Sequence, residues 1–147
     1  MLNKIHISLF TFLILLAGCK KDDINFPAEP AIEFVAISPT TANQFTNPVT
    51  ITIHYEDGDG DLGENKDGVK NCFVTDNRIG ITYQYRIKQL APDGASIPIE
   101  GNLNIDIGGQ VLTDSSNQQS VTYTLYVVDR AGHVSNSITT GAVVINR

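Results

Sequence analysis

Three runs of the chain alternate apolar and polar residues at every second position, and this period commits them to extended strands with one buried face. In VTITIHYE, Val49, Ile51, Ile53 and Tyr55 share one face, while Thr50, Thr52, His54 and Glu56 share the other. In IGITYQYRIK, Ile79, Ile81, Tyr83, Tyr85 and Ile87 point inward against Thr82, Gln84, Arg86 and Lys88; in VTYTLYVVD, Val121, Tyr123, Leu125 and Val127 do so. Such alternation is the pattern of half-buried antiparallel sheet. Weaker strands are expected over 31–37, 95–99, 102–107 and 134–145, the last with an irregularity at Gly141. Turn chemistry separates them at Pro92-Asp93-Gly94, Gly101-Asn102, Gly108-Gly109 and Ala131-Gly132. From residue 31 onward no segment shows a sustained helical period with caps. The expectation is an all-β domain over 31–147, seven short strands folded as a two-sheet sandwich.

Between the first of these strands and the second lies Glu56-Asp57-Gly58-Asp59-Gly60-Asp61-Leu62-Gly63-Glu64-Asn65-Lys66-Asp67, with six carboxylates and one lysine. Aspartates at every second position, separated by glycines that let the backbone curl, can aim several hard oxygens at one point, as Ca²⁺ with its roughly 6 to 8 oxygen ligands requires. Without a cation or solvent to relieve them, these like charges repel. The loop is not an EF-hand. With Asp57 as first ligand, Leu62 falls where the turn glycine belongs and Gly68 where the bidentate glutamate belongs, and the flanks are strands. The expected ligands are Asp57, Asp59 and Asp61, with Glu64 and Asp67 as further candidates. In a seven-strand sandwich the loop joining the second and third strands lies at the same end as the last hairpin, which adds Asp129, and the chain's entry to the domain is at that end too. A cation there could stiffen the junction between the entering chain and the domain.

The first residues read as an export signal: basic Lys4, an apolar run from Ile7 to Ala17 broken only by Ser8 and Thr11, then Leu16-Ala17-Gly18-Cys19. That run is too short to span a bilayer as a mature helix. Leu-Ala-Gly-Cys resembles the bacterial lipobox. The resemblance implies cleavage after residue 18, with diacylglycerol and acyl chains attached at Cys19. Lys20-Lys21-Asp22-Asp23 resembles the export signal that follows the lipidated cysteine in surface lipoproteins of the Bacteroidota, implying display on the outer face of the outer membrane. Residues 19–30 then form a polar tether carrying Pro27 and Pro30.

Two further stretches carry resemblance. Asp129-Arg130-Ala131-Gly132-His133-Val134-Ser135-Asn136 is similar to the closing hairpin of bacterial immunoglobulin-like domains, and Tyr55 to Gly63 resembles an element of small Bacteroidota lipoproteins. They imply an immunoglobulin-like sandwich. They imply little about activity, because a fold does not carry its function with it.

Loss of residues 1–18 removes Lys4 and no acid, moving the formal charge from −6 to about −7, which makes nucleic acid and anionic lipid surfaces poor partners. With Cys19 lipidated, Cys72 is the remaining thiol and no internal disulfide can form. Catalytic groupings are thin: His54 faces outward between threonines, His133 sits in a hairpin, and Cys72 beside Phe73 and Val74 reads as a small core residue. The chain is therefore expected to be no enzyme but a lipid-anchored module with a structural or protein-recognition role, its partner another envelope protein. A glycan-binding accessory role is the alternative, weakened by the lack of Trp but open to Tyr126 or Tyr85. A small metal-dependent enzyme is a third.

Overall fold

The computed structural model describes residues 26–147. The signal segment, Cys19 and the Lys20–Asp23 run lie outside the described residues. Those described are all-β, with ten strand segments: β1 (Ala31–Ser38), β2 (Thr41–Asn43), β3 (Pro48–Asp57), β4 (Cys72–Asp76), β5 (Ile81–Tyr85), β6 (Ile99–Gly109), β7 (Gln118–Val121), β8 (Tyr123–Val127), β9 (Ile138–Thr139) and β10 (Val143–Asn146). They pair as β1-β3-β6, β5-β4-β8-β9 and β2-β10-β7. Every pairing is antiparallel except that of β2 with β10.

The last two sheets are continuous with each other. Only Thr122 separates β7 from β8, and at the break between β9 and β10 the Thr140 amide donates to the Tyr123 carbonyl (2.9 Å) while the Tyr123 amide donates to Thr140 Oγ1 (3.0 Å). The result is a β-sandwich: one layer of three strands against a longer layer in which strands run on from one sheet into the next. Its core draws on both layers. Ile32, Val49, Ile51 and Ile53 come from the first; Cys72, Val74, Val121, Leu125, Val127, Val143 and Ile145 come from the second. At about 25 cal/mol per Å² of apolar surface removed from water, this shared interior is what holds the layers together.

The alternation in β3 and in β7–β8 is realised residue for residue, with Val49, Ile51, Ile53, Tyr55, Val121, Tyr123, Leu125 and Val127 all buried. Elsewhere the structure departs from expectation. Ten segments replace seven: β2, β4 and β7 are additional, the C-terminal run divides into β9 and β10, and the strands expected over 95–99 and 102–107 merge into β6. Residues 95–98 are not strand, and Gly101-Asn102 is no turn but mid-strand, paired with Tyr55 and His54 of β3. A Cβ on Gly101 would stand 3.2 Å from the Tyr55 hydroxyl, a close approach of the kind that glycine in a strand often marks. The run IGITYQYRIK is a strand only over β5, and Ile79, Ile81 and Tyr83 are exposed. β5 is the edge strand of the longer layer, and clefts separate Tyr83 and Tyr85 on its inward face from β6. The tether also ends sooner than expected: Pro30 is buried, and Phe26 and Pro27 already lie against the domain.

Candidate metal centre

The inward series of β3 continues one step past Tyr55, and its next member is Asp57, a carboxylate with 0 % of its surface exposed. The strand's own period thus carries a charge into the interior. Asp57 Oδ2 accepts a hydrogen bond from the Leu62 amide at 2.7 Å, closing the loop on itself, and the Leu62 side chain is fully buried. This closure turns Asp59 and Asp61 back toward Asp57. One carboxylate oxygen from each of the three lies within 4.8 Å of the others. The Oδ1 atoms of Asp57, Asp59 and Asp61 are all buried, and none has a hydrogen-bond partner.

Three clustered aspartates, each with a buried and unpartnered carboxylate oxygen, are a costly arrangement for a protein alone. Among the described residues no lysine or arginine forms an ion pair with any of them. Burial pushes the Asp57 carboxyl above its ordinary range, the Leu62 amide works against this, and the charges of Asp59 and Asp61 add to the rise. Burial likewise raises Asp61, reinforced by Asp129 and Asp59 and opposed by the Ala131 amide and by Arg130. A cation at the centre would remove the penalty. Calcium–oxygen distances of about 2.3–2.6 Å place ligands on opposite sides of one ion up to about 5 Å apart, so the oxygens are spaced for a shared ion.

The glycines of the loop do more than let it curl. A Cβ on Gly58 would lie 2.1 Å from the Phe26 carbonyl oxygen and 2.5 Å from that of Pro27, and the Gly58 amide donates to the Pro27 carbonyl at 2.9 Å. Gly60, at φ +74°, has the Ile97 carbonyl oxygen 2.3 Å from where its Cβ would be. Two distant backbone segments therefore press directly on the aspartate loop, one on each of the glycines between the aspartates. That requirement is invisible in a motif of alternating Asp and Gly.

The closing hairpin meets the loop at the expected end. Asp61 Oδ2 accepts from the Ala131 amide at 2.9 Å, the Asp61 carbonyl accepts from the Arg130 amide at 3.3 Å, and Arg130 Nη1 donates to the Gly63 carbonyl at 2.9 Å. Asp129 is buried close by but outside the group of three. Its Oδ1 accepts from the His133 amide and its Oδ2 meets His133 Nδ1, both at 2.8 Å. That contact raises the His133 imidazole above its usual range. Glu64 and Asp67 are not brought to the group either: Glu64 Oε1 accepts from the Lys66 amide at 2.9 Å, while Asp67, fully exposed, pairs with Arg86 at 2.9 Å.

The Asp129–His133 pair and a second acidic group went unread in the sequence. His54, Glu56 and Glu100 converge on the outer face where β3 pairs with β6, Glu56 being directly opposite Glu100. Register, which no single strand reveals, brings them together; they remain partly solvated, with His54 Nδ1 against Asn102 Oδ1 at 3.1 Å. Cys72 is wholly buried and its thiol is pushed up to about 12, as befits a core side chain. The Tyr126 ring is stacked on Phe73 with centroids 4.9 Å apart, and Tyr85 lines a cleft of about 330 Å³ between β5 and β6. No protein-family model matches the chain, and no curated protein matches it in sequence.

Proposed function

We propose that this chain is a lipid-anchored envelope protein whose sandwich domain is stabilised by calcium and serves a structural or protein-recognition role. The observation that carries the calcium reading is the clustering of Asp57, Asp59 and Asp61, one carboxylate oxygen of each within 4.8 Å of the others, together with the buried, unpartnered Oδ1 atom that each carries. These residues would hold the ion, and the ion would supply the direct charge partner that no lysine or arginine ion pair gives them among the described residues. Asp129 supports the site from behind by fixing the hairpin that bonds Asp61. The role is one of rigidity, since the site joins a loop, a hairpin and the start of the domain.

An immunoglobulin-like reading of the sandwich is supported by the strand order. The chain leaves β1 in the three-strand layer and crosses to pair β2, in parallel, with the final strand β10 of the other. The anchor rests on Leu16-Ala17-Gly18-Cys19 and the Lys20–Asp23 run that follows. Acyl chains contribute about 0.8 kcal/mol per buried CH₂, so two or more on Cys19 hold a protein firmly at a membrane.

Calorimetric titration of the full-length protein in detergent tests the ion. A single saturable calcium event is expected, with Kd near 10⁻⁴ to 10⁻³ M as in other extracellular modules; the absence of any binding up to about 10 mM would sink the calcium reading. For the anchor, Cys19→Ala is expected to move the protein out of the membrane fraction, and an unchanged distribution would remove the lipid.

A further inference from the structure

The segment that enters the domain lies across the aspartate loop, and its placement makes that loop more than a local staple. Ala31 at the head of β1 pairs with Glu56, so the residues before it run past Asp57 and its neighbours. The carbonyls of Phe26 and Pro27 pack on Gly58, between Asp57 and Asp59, with the Gly58 amide bonded to Pro27. Just after this segment, inside β1, Ile32 is bonded to Asn136 of the closing hairpin, whose Oδ1 accepts from the Ile32 amide and whose Nδ2 donates to the Ile32 carbonyl, both at 2.8 Å. The entering chain is thus bonded first to the loop, at Gly58, and then, once in β1, to the hairpin that Asp61 bonds.

We infer that cation binding at Asp57, Asp59 and Asp61 is coupled to docking of residues 26–30, so that the site is a calcium-dependent latch setting the direction in which the domain leaves its N-terminal segment. This rests on the calcium reading above. The physical link is the shape of the loop. Phe26 and Pro27 fit only against a loop whose Gly58 is held in place, and the three repelling carboxylates hold that shape only when a cation draws them together. Coupling of this kind is reciprocal: whatever the ion contributes to docking, docking contributes to ion affinity. A protein held by residues before 26 would then stand in a fixed attitude at millimolar calcium and swing freely without it.

The chain has no tryptophan, so Phe26→Trp in the full-length protein, purified in detergent, gives a single fluorescent reporter at a half-buried position of the segment. Its emission is expected to shift to the blue on addition of calcium, with the midpoint found by calorimetry, and to stay red in EDTA or when Asp59→Asn is added. A second variant, Gly58→Ala, leaves all three carboxylates in place. Gly58 does not occupy the left-handed region, so alanine is tolerated by the backbone, but the new Cβ meets the Phe26 and Pro27 carbonyls. It is expected to weaken calcium binding roughly fivefold or more, the lower end of typical coupling between sites. Calcium heats in the parent protein accompanied by an unmoved emission, or by parental affinity in Gly58→Ala, would overturn the latch while leaving the ion site standing. No calcium heat in the parent would overturn the site itself and the latch with it.

Discussion

Asp57 occupies a position that the period of its own strand reserves for a core residue, and its neighbours provide one amide where a buried carboxylate needs several partners. Exchanging it for asparagine separates two properties that usually move together. Asp57→Asn keeps the acceptor for Leu62 and removes one of three mutually repelling charges. In EDTA the variant is expected to be more stable than the parent by about 1 kcal/mol, the order of the penalty for a buried unsatisfied polar group. In calcium it is expected to be less stable than the parent, because a ligand has been lost. Urea melts in the two conditions check the crossing. A variant less stable in both would show that Asp57 is held by neighbours rather than waiting for an ion. The three aspartates were legible in the sequence because alternation with glycine is a local signal. The idle state of their Oδ1 atoms was not, since it depends on what the Phe26, Ile97 and Ala131 backbones leave room for.

Among the strand segments, β3 and β5 show how far a period-two pattern can be trusted. Both alternate, and both put isoleucines on the inward side. In β3 the inward face is covered, and Ile53 is fully buried; in β5, at the edge of its sheet, it is not, and Ile81 is 51 % exposed. Ile53→Ala is expected to cost about 2–5 kcal/mol through lost burial and a cavity. Ile81→Ala is expected to cost well under that, about 1 kcal/mol or less, because its surface is half in water already. Chemical denaturation of the two variants decides this, and equal losses would place β5 in the core. Alternation states which side of a strand faces inward. Whether anything covers that side is settled by the number of strands in the other layer, and that number is a property of the whole fold. For the same reason β4 escaped notice: its inward residues are Cys72, Val74 and Asp76, and a buried acid partnered by Arg78 spoils the apolar rhythm.

At the scale of the molecule, the loop, hairpin and entering segment form one end of the sandwich, and its stability is expected to follow pH as well as the proposed cation. Burial first, and then neighbouring charge, raises the folded-state values of Asp57 and Asp61 above those of the unfolded chain. A carboxyl raised in this way favours the folded state once protonated, a contribution fully present below its unfolded value and lost as pH rises through the folded one. In the cation-free protein this end is therefore weakest near neutrality and strengthens on mild acidification. A cation bound there would compete with protons for the same oxygens. The stabilisation by calcium, read as the difference between melts with and without it, is accordingly expected to be largest at pH 7 and to vanish as pH falls through the raised values toward the ordinary carboxylate range. A difference that grew on acidification would contradict the placement of the ion on these carboxylates.

The measurement closest to the centre of this account is the thermal melt of the full-length protein in EDTA and through a calcium titration, with magnesium as control and Asp59→Asn beside the parent. With Kd near 10⁻⁴ M and about 1 mM ion, binding stabilises the fold by about 1.4 kcal/mol. For a domain of this size that corresponds to a rise in Tm of about 5 °C. A saturable rise of that order is expected with calcium, a smaller one with magnesium, and none in Asp59→Asn. Superimposable melts in EDTA and calcium would contradict it, leaving Asp57, Asp59 and Asp61 as a strained acidic loop that binds no ion.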